Sequence, residues 1–294
     1  MDHLTAFKEY LLYEKRYSSH TAESYGADIA LLQKHFFPQK RPLSALTTDD
    51  LKAYLGELFG DLTASSLHRK ISAIRHFYSF LHKRGEMDGN PAAALVSPRK
   101  EKYLPTCLTH EEMDKILNRP YPHTEKGLRD KAIMELFYSS GLRVSELVSL
   151  RVRDVDIAQG VVRVFGKGKK ERLTPLTVDA ANAIHDYLLF RGGPKEPTAR
   201  LFLNLRGGER LTARAVEYLM EELVKEAGVF RHVSPHMLRH SFASHLLENG
   251  MNIRYLQSML GHSNLSTTEI YTHLSIQELK KVYRKAHPGN HGGA

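Results

Sequence analysis

Residues 160–176 read GVVRVFGKGKKERLTPL. Val161, Val162, Val164 and Phe165 are β-formers, and a second short run follows from Arg172 to Leu176. Between them lies Gly166-Lys167-Gly168-Lys169, with glycines suited to a tight reversal and lysines suited to solvent. The pattern predicts a β-hairpin with a lysine-rich tip. Outward from it, in both directions, the chain reads as helix. The expected fold class is therefore mainly α with a small β-sheet, an α+β protein.

Towards the N-terminus, Leu4, Phe7 and Leu11 recur at helical spacing, as do Tyr25, Ile29, Leu32 and Phe36. A third helix follows the cap candidate Thr48, with Leu51, Tyr54, Leu55 and Leu58 inward. A fourth runs from about Ser65 to Arg84 and stops at Gly85, with Leu67, Ile71, Ile74, Tyr78 and Leu81 as its apolar stripe. Its other faces carry His68, Arg69, Lys70, Arg75, His76, Lys83 and Arg84. Such a set of four makes a small bundle. The texture then changes at Ser97 to Pro105, SPRKEKYLP, where two prolines bracket a mostly basic run and predict an extended linker. The expected organisation is a helical domain over 1–98, a linker over 99–105 and a mixed domain over 106–294.

In the mixed part, Thr109 with Glu112 is a capping-box pattern. Leu128 to Ser140 reads as a buried helix ending at Gly141, and helices resume at about Val178–Arg191, Ala213–Ala227 and Pro235–Asn249. Ser275 to His287 reads as a short amphipathic helix with Ile276, Leu279, Val282 and Tyr283 on its apolar face. The Gly-rich tail from Pro288 to Ala294 is expected to be disordered.

Forty-two Lys and Arg face 33 Asp and Glu, a net charge of +9 over 294 residues. A basic surface favours a polyanion such as DNA, RNA or anionic lipid, although a merely basic protein has the same balance. Cys107 is the only cysteine, which excludes an intrachain disulfide and a Cys-based zinc site. Met1 to Tyr10 carry charges and no apolar core, so no secretory signal is read. No apolar run approaches the roughly 20 residues that span a bilayer. A cytoplasmic protein is expected.

Four short segments stand out: Gly141-Leu142-Arg143-Val144-Ser145-Glu146-Leu147, the hairpin with Lys167, His236-Met237-Leu238-Arg239-His240, and Gly261-His262-Ser263 followed by Tyr271. Each alone has a bland reading as surface or core. His236, His240 and His245 fall on one segment, so a metal site is conceivable, yet no HExxH pattern or acidic cluster accompanies them. GKGKKE lacks the spacing of a nucleotide-binding phosphate loop. No metal, nucleotide or other cofactor is expected.

Together the four segments resemble the tyrosine recombinases, the phage integrase family, and within it the XerC/XerD-like branch. GLRVSEL, GKGKKERL, HMLRHSFASHLL and LGHSNLSTTEIYTH carry the likeness, which extends over nearly the whole chain. The segments Tyr271-Thr272-His273-Leu274 and Val282-Tyr283…Ala286-His287-Pro288 lean slightly towards XerC. The resemblance implies an N-terminal SAM-like core-binding domain and a catalytic domain forming a C-shaped clamp. It implies an active site of Arg143, Lys167, His236, Arg239, His262 and Tyr271, with Tyr271 the nucleophile. Glu146 is a supporting residue that orients one of the cations. The residue types suit transesterification: arginine forks match phosphate oxygens, and Lys and His exchange protons. His68, Arg69, Lys70 and Arg75 on the fourth helix are candidate DNA contacts, the alternative being a solvated helix face.

The partners implied are double-stranded DNA at a specific site and a homo- or hetero-tetramer on it, with a second Xer-type recombinase. A DNA translocase activator of the FtsK type and docking of the C-terminal helix on a neighbouring subunit belong to the same picture. The expected activity is strand exchange through a 3′-phosphotyrosyl intermediate, serving chromosome-dimer resolution. A mobile-element recombinase, a topoisomerase-like nicking-closing enzyme and a DNA-binding protein without catalysis are the other readings.

Overall fold

The computed structural model describes residues 3–97, 107–166, 171–193, 196–205, 207–208, 210–261 and 276–290. The chain divides into two compact units, Met1–Lys102 and Tyr103–Ala294. The linker expected over 99–105, the hairpin tip with Lys167 and the stretch holding His262 and Tyr271 lie outside the described residues.

The first unit is helical: α1 (His3–Glu9) running into a π-helical turn (Tyr10–Glu14), α2 (Ser19–Phe36), α3 (Thr48–Glu57) and α4 (Ala64–Lys83). Three side chains start the longer helices. Ser18, Thr47 and Thr63 each accept a backbone N–H three residues on, satisfying donors that the helix itself cannot. The cap of α3 is thus Thr47 and not Thr48. Asp50 returns the bond to the Thr47 N–H, while the Thr48 hydroxyl donates to the Pro91 carbonyl at 2.9 Å. Phe7, Ile29, Leu32, Leu51, Ile71, Ile74 and Phe77 fill one core, in which Phe7 meets Phe77 edge-on at 5.2 Å.

One basic residue of α4 departs from its expected face. Lys70 is buried, and its ammonium donates to Asp28 at 3.1 Å, so it is an internal ion pair and not part of a solvent-facing surface. Asp28 is buried on α2, and Arg69 donates to its other oxygen. A buried carboxylate needs such partners because its desolvation is otherwise uncompensated.

The second unit holds α5 (His110–Leu117), α6 (Glu125–Ser140), α7 (Val144–Leu147), α8 (Val178–Phe190), α9 (Ala213–Glu226), α10 (Pro235–Glu248), α11 (Ile253–Leu260) and α12 (Ile276–Ala286). A three-stranded antiparallel sheet, β1 (Val155–Asp156), β2 (Val161–Phe165) and β3 (Glu171–Pro175), lies in the order β1-β2-β3. Val161 opposes Pro175 and Phe165 opposes Glu171, so the expected hairpin is present. Val162 and Val164 turn inward while Arg163 and Phe165 turn out, as the two-residue period of a strand requires. α6 is buried on nearly every side and packs on α8 and α10. It ends at Gly141, whose φ of +58° is the left-handed conformation that glycine adopts without cost.

In the single chain the apolar face of α12 is covered by its own unit. Leu279, Tyr283 and Ala286 are buried there, and the Tyr283 hydroxyl donates to the Ser139 carbonyl at 2.7 Å. Beyond it, His287 is buried against Tyr138, and Pro288–Asn290 form a short 3-10 turn where a disordered tail was expected. Among the described residues no helix is long and apolar enough to cross a membrane.

Candidate active site

The end of α6 and the start of α7 make the first wall of the site. Arg143 is the residue before α7, and Glu146 sits in the first turn of that helix. The Glu146 carboxylate accepts the Arg143 backbone N–H at 2.8 Å and the Arg143 Nη1 at 2.9 Å. Glu146 is therefore both a helix cap and an ion-pair partner, which fixes the Arg143 side chain relative to its own backbone.

Two further arginines converge on this carboxylate from distant parts of the chain. Arg172 of β3 donates from Nη1 and Nη2 to the two Glu146 oxygens, each at 2.8 Å, and from Nε to the Met259 carbonyl at 2.6 Å. Arg239 of α10 places Nη1 at 3.9 Å from Glu146 Oε2. The Arg239 guanidinium donates to the carbonyls of Gly141 and Leu260, each at 2.6 Å. Those carbonyls lie at the C-terminal ends of α6 and α11, where helix carbonyls lack intrahelical partners and the dipole is negative.

Burial pushes the Glu146 carboxyl up, but the Arg172 hydrogen bonds and then the Arg143 N–H outweigh it and hold the group below the usual carboxylate range. Arg239 is drawn down to about 10, by burial first and by Arg143 second, with Glu146 opposing. Both groups therefore stay charged at neutral pH. Among the described residues, three guanidiniums on one carboxylate leave two positive charges uncompensated. The side chains of Arg172 and Arg239 are only 10% and 6% exposed, whereas that of Arg143 is 43% exposed. Arg143 is thus the most open member of the group, the one an incoming anion meets first.

His236 lies three residues before Arg239 on α10, on the same helix face, and is exposed. Lys167, His262 and Tyr271 fall outside the described residues. The structure thus brings together Arg143, Glu146 and Arg239, with His236 nearby on α10, and adds Arg172. A sequence signal for Arg172 existed. It opposes Val164 across the hairpin, so it shares the face of a buried valine, and a cation on a core face calls for a carboxylate.

The four candidate DNA contacts sit on α4 in the other unit. Lys70 is internal, Arg69 is bound to Asp28, Arg75 donates to the Leu95 carbonyl, and His68 is half-buried. Of the three histidines considered for a metal, His245 has both ring nitrogens engaged, by Tyr138 Oη and the Leu108 carbonyl, each at 2.8 Å. It clusters with His110 and Glu248. The two imidazoles, however, are stacked at 3.8 Å and 25°, and near-parallel rings cannot aim their in-plane lone pairs at one ion.

Residues 106–278 match the Phage integrase family, and residues 4–85 match its N-terminal SAM-like domain. A tyrosine recombinase XerC of Pelobacter propionicus is 43% identical over 293 residues, covering 98% of this chain and 96% of its own length. The crystal structure of XerA recombinase is similar at 28% identity and a TM-score of 0.50, covering 98% of both chains. The fold is also that of XerH site-specific recombinase, solved as a pre-cleavage complex with its difH substrate. That match has 22% identity and a TM-score of 0.69, and covers 95% of this chain and 83% of the other.

Proposed function

Because this chain belongs to the phage integrase family, the tyrosine recombinases, we propose that it exchanges strands at a specific DNA site through Tyr271 and in doing so resolves chromosome dimers. The family makes it a DNA strand transferase of the Xer type. The observation that carries the mechanistic reading is the convergence of Arg143 and Arg239 on buried Glu146. Two arginine forks held at one place are what a scissile phosphate needs.

In this reading the Tyr271 oxygen attacks the phosphorus. The P–O5′ bond breaks, and the phosphate becomes a 3′-phosphotyrosyl ester. Lys167 gives the departing 5′-oxygen its proton, and His236 assists removal of the tyrosine proton. His262 hydrogen-bonds a phosphate oxygen, and Arg143 and Arg239 favour the extra negative charge of the transition state. Attack by the 5′-hydroxyl of the other duplex reverses the chemistry and rejoins the strands, so the bond energy is conserved without a nucleotide. No step calls for a metal ion. The partners are two double-stranded DNA sites and a tetramer on them, completed by a second Xer-type recombinase and activated by an FtsK-type translocase.

A nicked suicide substrate tests this directly. Incubated in EDTA without ATP, the wild-type protein should form a covalent DNA adduct, and Tyr271→Phe should bind the same DNA and form none. An adduct with the Phe variant would overturn the nucleophile. A wild-type adduct that needed a divalent ion would overturn the metal-free mechanism.

A further inference from the structure

The Glu146 carboxylate is shared unequally. Arg172 takes both oxygens in a fork-on-fork pairing at 2.8 Å, whereas Arg143 takes one oxygen through one side-chain nitrogen at 2.9 Å. Arg172 spends its remaining inward donor, Nε, on the Met259 carbonyl near the end of α11. Three of its five N–H donors are thereby committed inside the protein, and it is 10% exposed. It cannot serve a substrate as Arg143 can.

Its connections reach three elements. It stands on β3, just beyond the hairpin tip that bears Lys167. It holds Glu146 at the start of α7. Its bond to Met259 lies three residues before His262. Gly261, which directly precedes His262, has a φ of +67°, and a Cβ placed there would stand 3.3 Å from Arg172 Cδ and Nη1. The chain end that leads to His262 is thus laid against the Arg172 side chain.

We propose that Arg172 is a positioning residue of the strand-transfer site: by occupying both oxygens of Glu146 it limits Arg143 to one bond with that carboxylate and leaves the outer nitrogen of its fork for the scissile phosphate, and through Met259 it ties β3 to the C-terminal end of α11. The proposal rests on the reading of Arg143 as a phosphate ligand. Without Arg172, a buried carboxylate would be left underpaired. Its nearest remedy is Arg143, already within 2.9 Å, which would turn its second nitrogen inward and away from DNA.

The test is single-turnover cleavage of the suicide substrate by Arg172→Ala, Arg172→Lys, Glu146→Gln and the double variant Arg172→Ala/Glu146→Gln, with wild type alongside. DNA affinity is read by gel shift and folding by thermal melt. Arg172→Ala and Arg172→Lys should both cut about 100-fold more slowly, the scale of a misplaced reacting group, at near-normal DNA affinity. Lysine should fail because it keeps the charge and loses the fork. Glu146→Gln should restore about tenfold of the loss in the Arg172→Ala background, since a neutral amide no longer captures Arg143. Restoration of the rate constant is the outcome that a merely structural role would not produce, because relieving an underpaired buried carboxylate would then raise only the folded fraction. The rate constant, read apart from the amplitude, separates misplacement from a smaller folded fraction. Wild-type rates in both Arg172 variants, or a double variant no faster than Arg172→Ala, would overturn the proposal. Absence of any adduct with wild-type protein would instead strike the recombinase reading itself.

Discussion

Gly141 is where the fold and the site meet, and replacing it by alanine has two separable effects. Its φ of +58° is costly for a residue with a Cβ, by about 1–2 kcal/mol. The added Cβ would also stand 2.4 Å from Phe242 Cδ1 and 2.6 Å from Cε1, inside van der Waals contact with a fully buried ring. Overpacking of that kind costs about 1–3 kcal/mol. Gly160 supplies the control. It has the same φ of +58°, yet a Cβ there would meet only the Leu176 carbonyl at 3.8 Å. Urea unfolding should therefore show Gly160→Ala losing about 1–2 kcal/mol and Gly141→Ala about 2–5 kcal/mol. The Gly141 carbonyl also accepts Arg239 Nη1 at 2.6 Å, and Phe242 lies three residues beyond Arg239 on α10. Cleavage by the folded Gly141→Ala protein should fall about tenfold or more, while Gly160→Ala cuts normally. Equal stability losses for the two variants would refute the steric argument. An unchanged cleavage rate for Gly141→Ala would refute the link to Arg239.

Two further changes probe buried charge. Burial, with Asp179 adding and Lys131 opposing, pushes Glu135 up to about 7. Because the folded value is raised, stability falls as pH climbs from the ordinary carboxylate range to about 7 and then levels off. Glu135→Gln should thus be neutral at pH 4 and raise stability by about 1–3 kcal/mol at pH 8, and equal effects at both pH values in urea melts would contradict it. Lys70→Met should leave Asp28 paired with Arg69 alone and cost about 1–3 kcal/mol with DNA affinity per folded molecule unchanged. A gel shift showing weakened binding without lost stability would return Lys70 to the DNA-contact surface.

How much of this was legible in the sequence depends on how local each feature is. The stripe Leu67, Ile71, Ile74, Tyr78 and Leu81 announces α4 because helical period is a property of consecutive residues. The fate of Lys70 is not in that period. It is decided by Asp28 on α2, far away in sequence. β2 and β3 are visible in their β-branched residues, while β1, two residues long, is too short to leave a pattern. The amphipathic character of α12 was plain, but a sequence cannot say which surface covers an apolar face, and here it is the helix's own unit. Arg143 and Arg239 are legible through motif resemblance, and Glu146 through its place three residues after Arg143. Arg172 lies inside the GKGKKERL motif, but its importance comes from pairing across the hairpin and from the reach to Glu146, neither of which a linear motif displays.

The electrostatics of the arginine group bear on why the site takes this form. A buried ion pair seldom adds stability, since desolvation offsets the attraction. Here one carboxylate faces three guanidiniums, and Arg239 is drawn down to about 10 by burial first and by the neighbouring Arg143 second. A protein selected for stability alone would gain by a second acid or by apolar substitutes. In the proposed reaction the imbalance has a use. A phosphodiester brings one negative charge and its transition state a second, so the two uncompensated positive charges are matched only at the top of the barrier. The carboxyl ends of α6 and α11 hold Arg239 meanwhile through neutral carbonyls, which orient a cation without cancelling it. A second carboxylate beside Arg239 would stabilise the resting protein and weaken its preference for the transition state. On this argument Glu146, paired chiefly by Arg172, is as much negative charge as the site can carry.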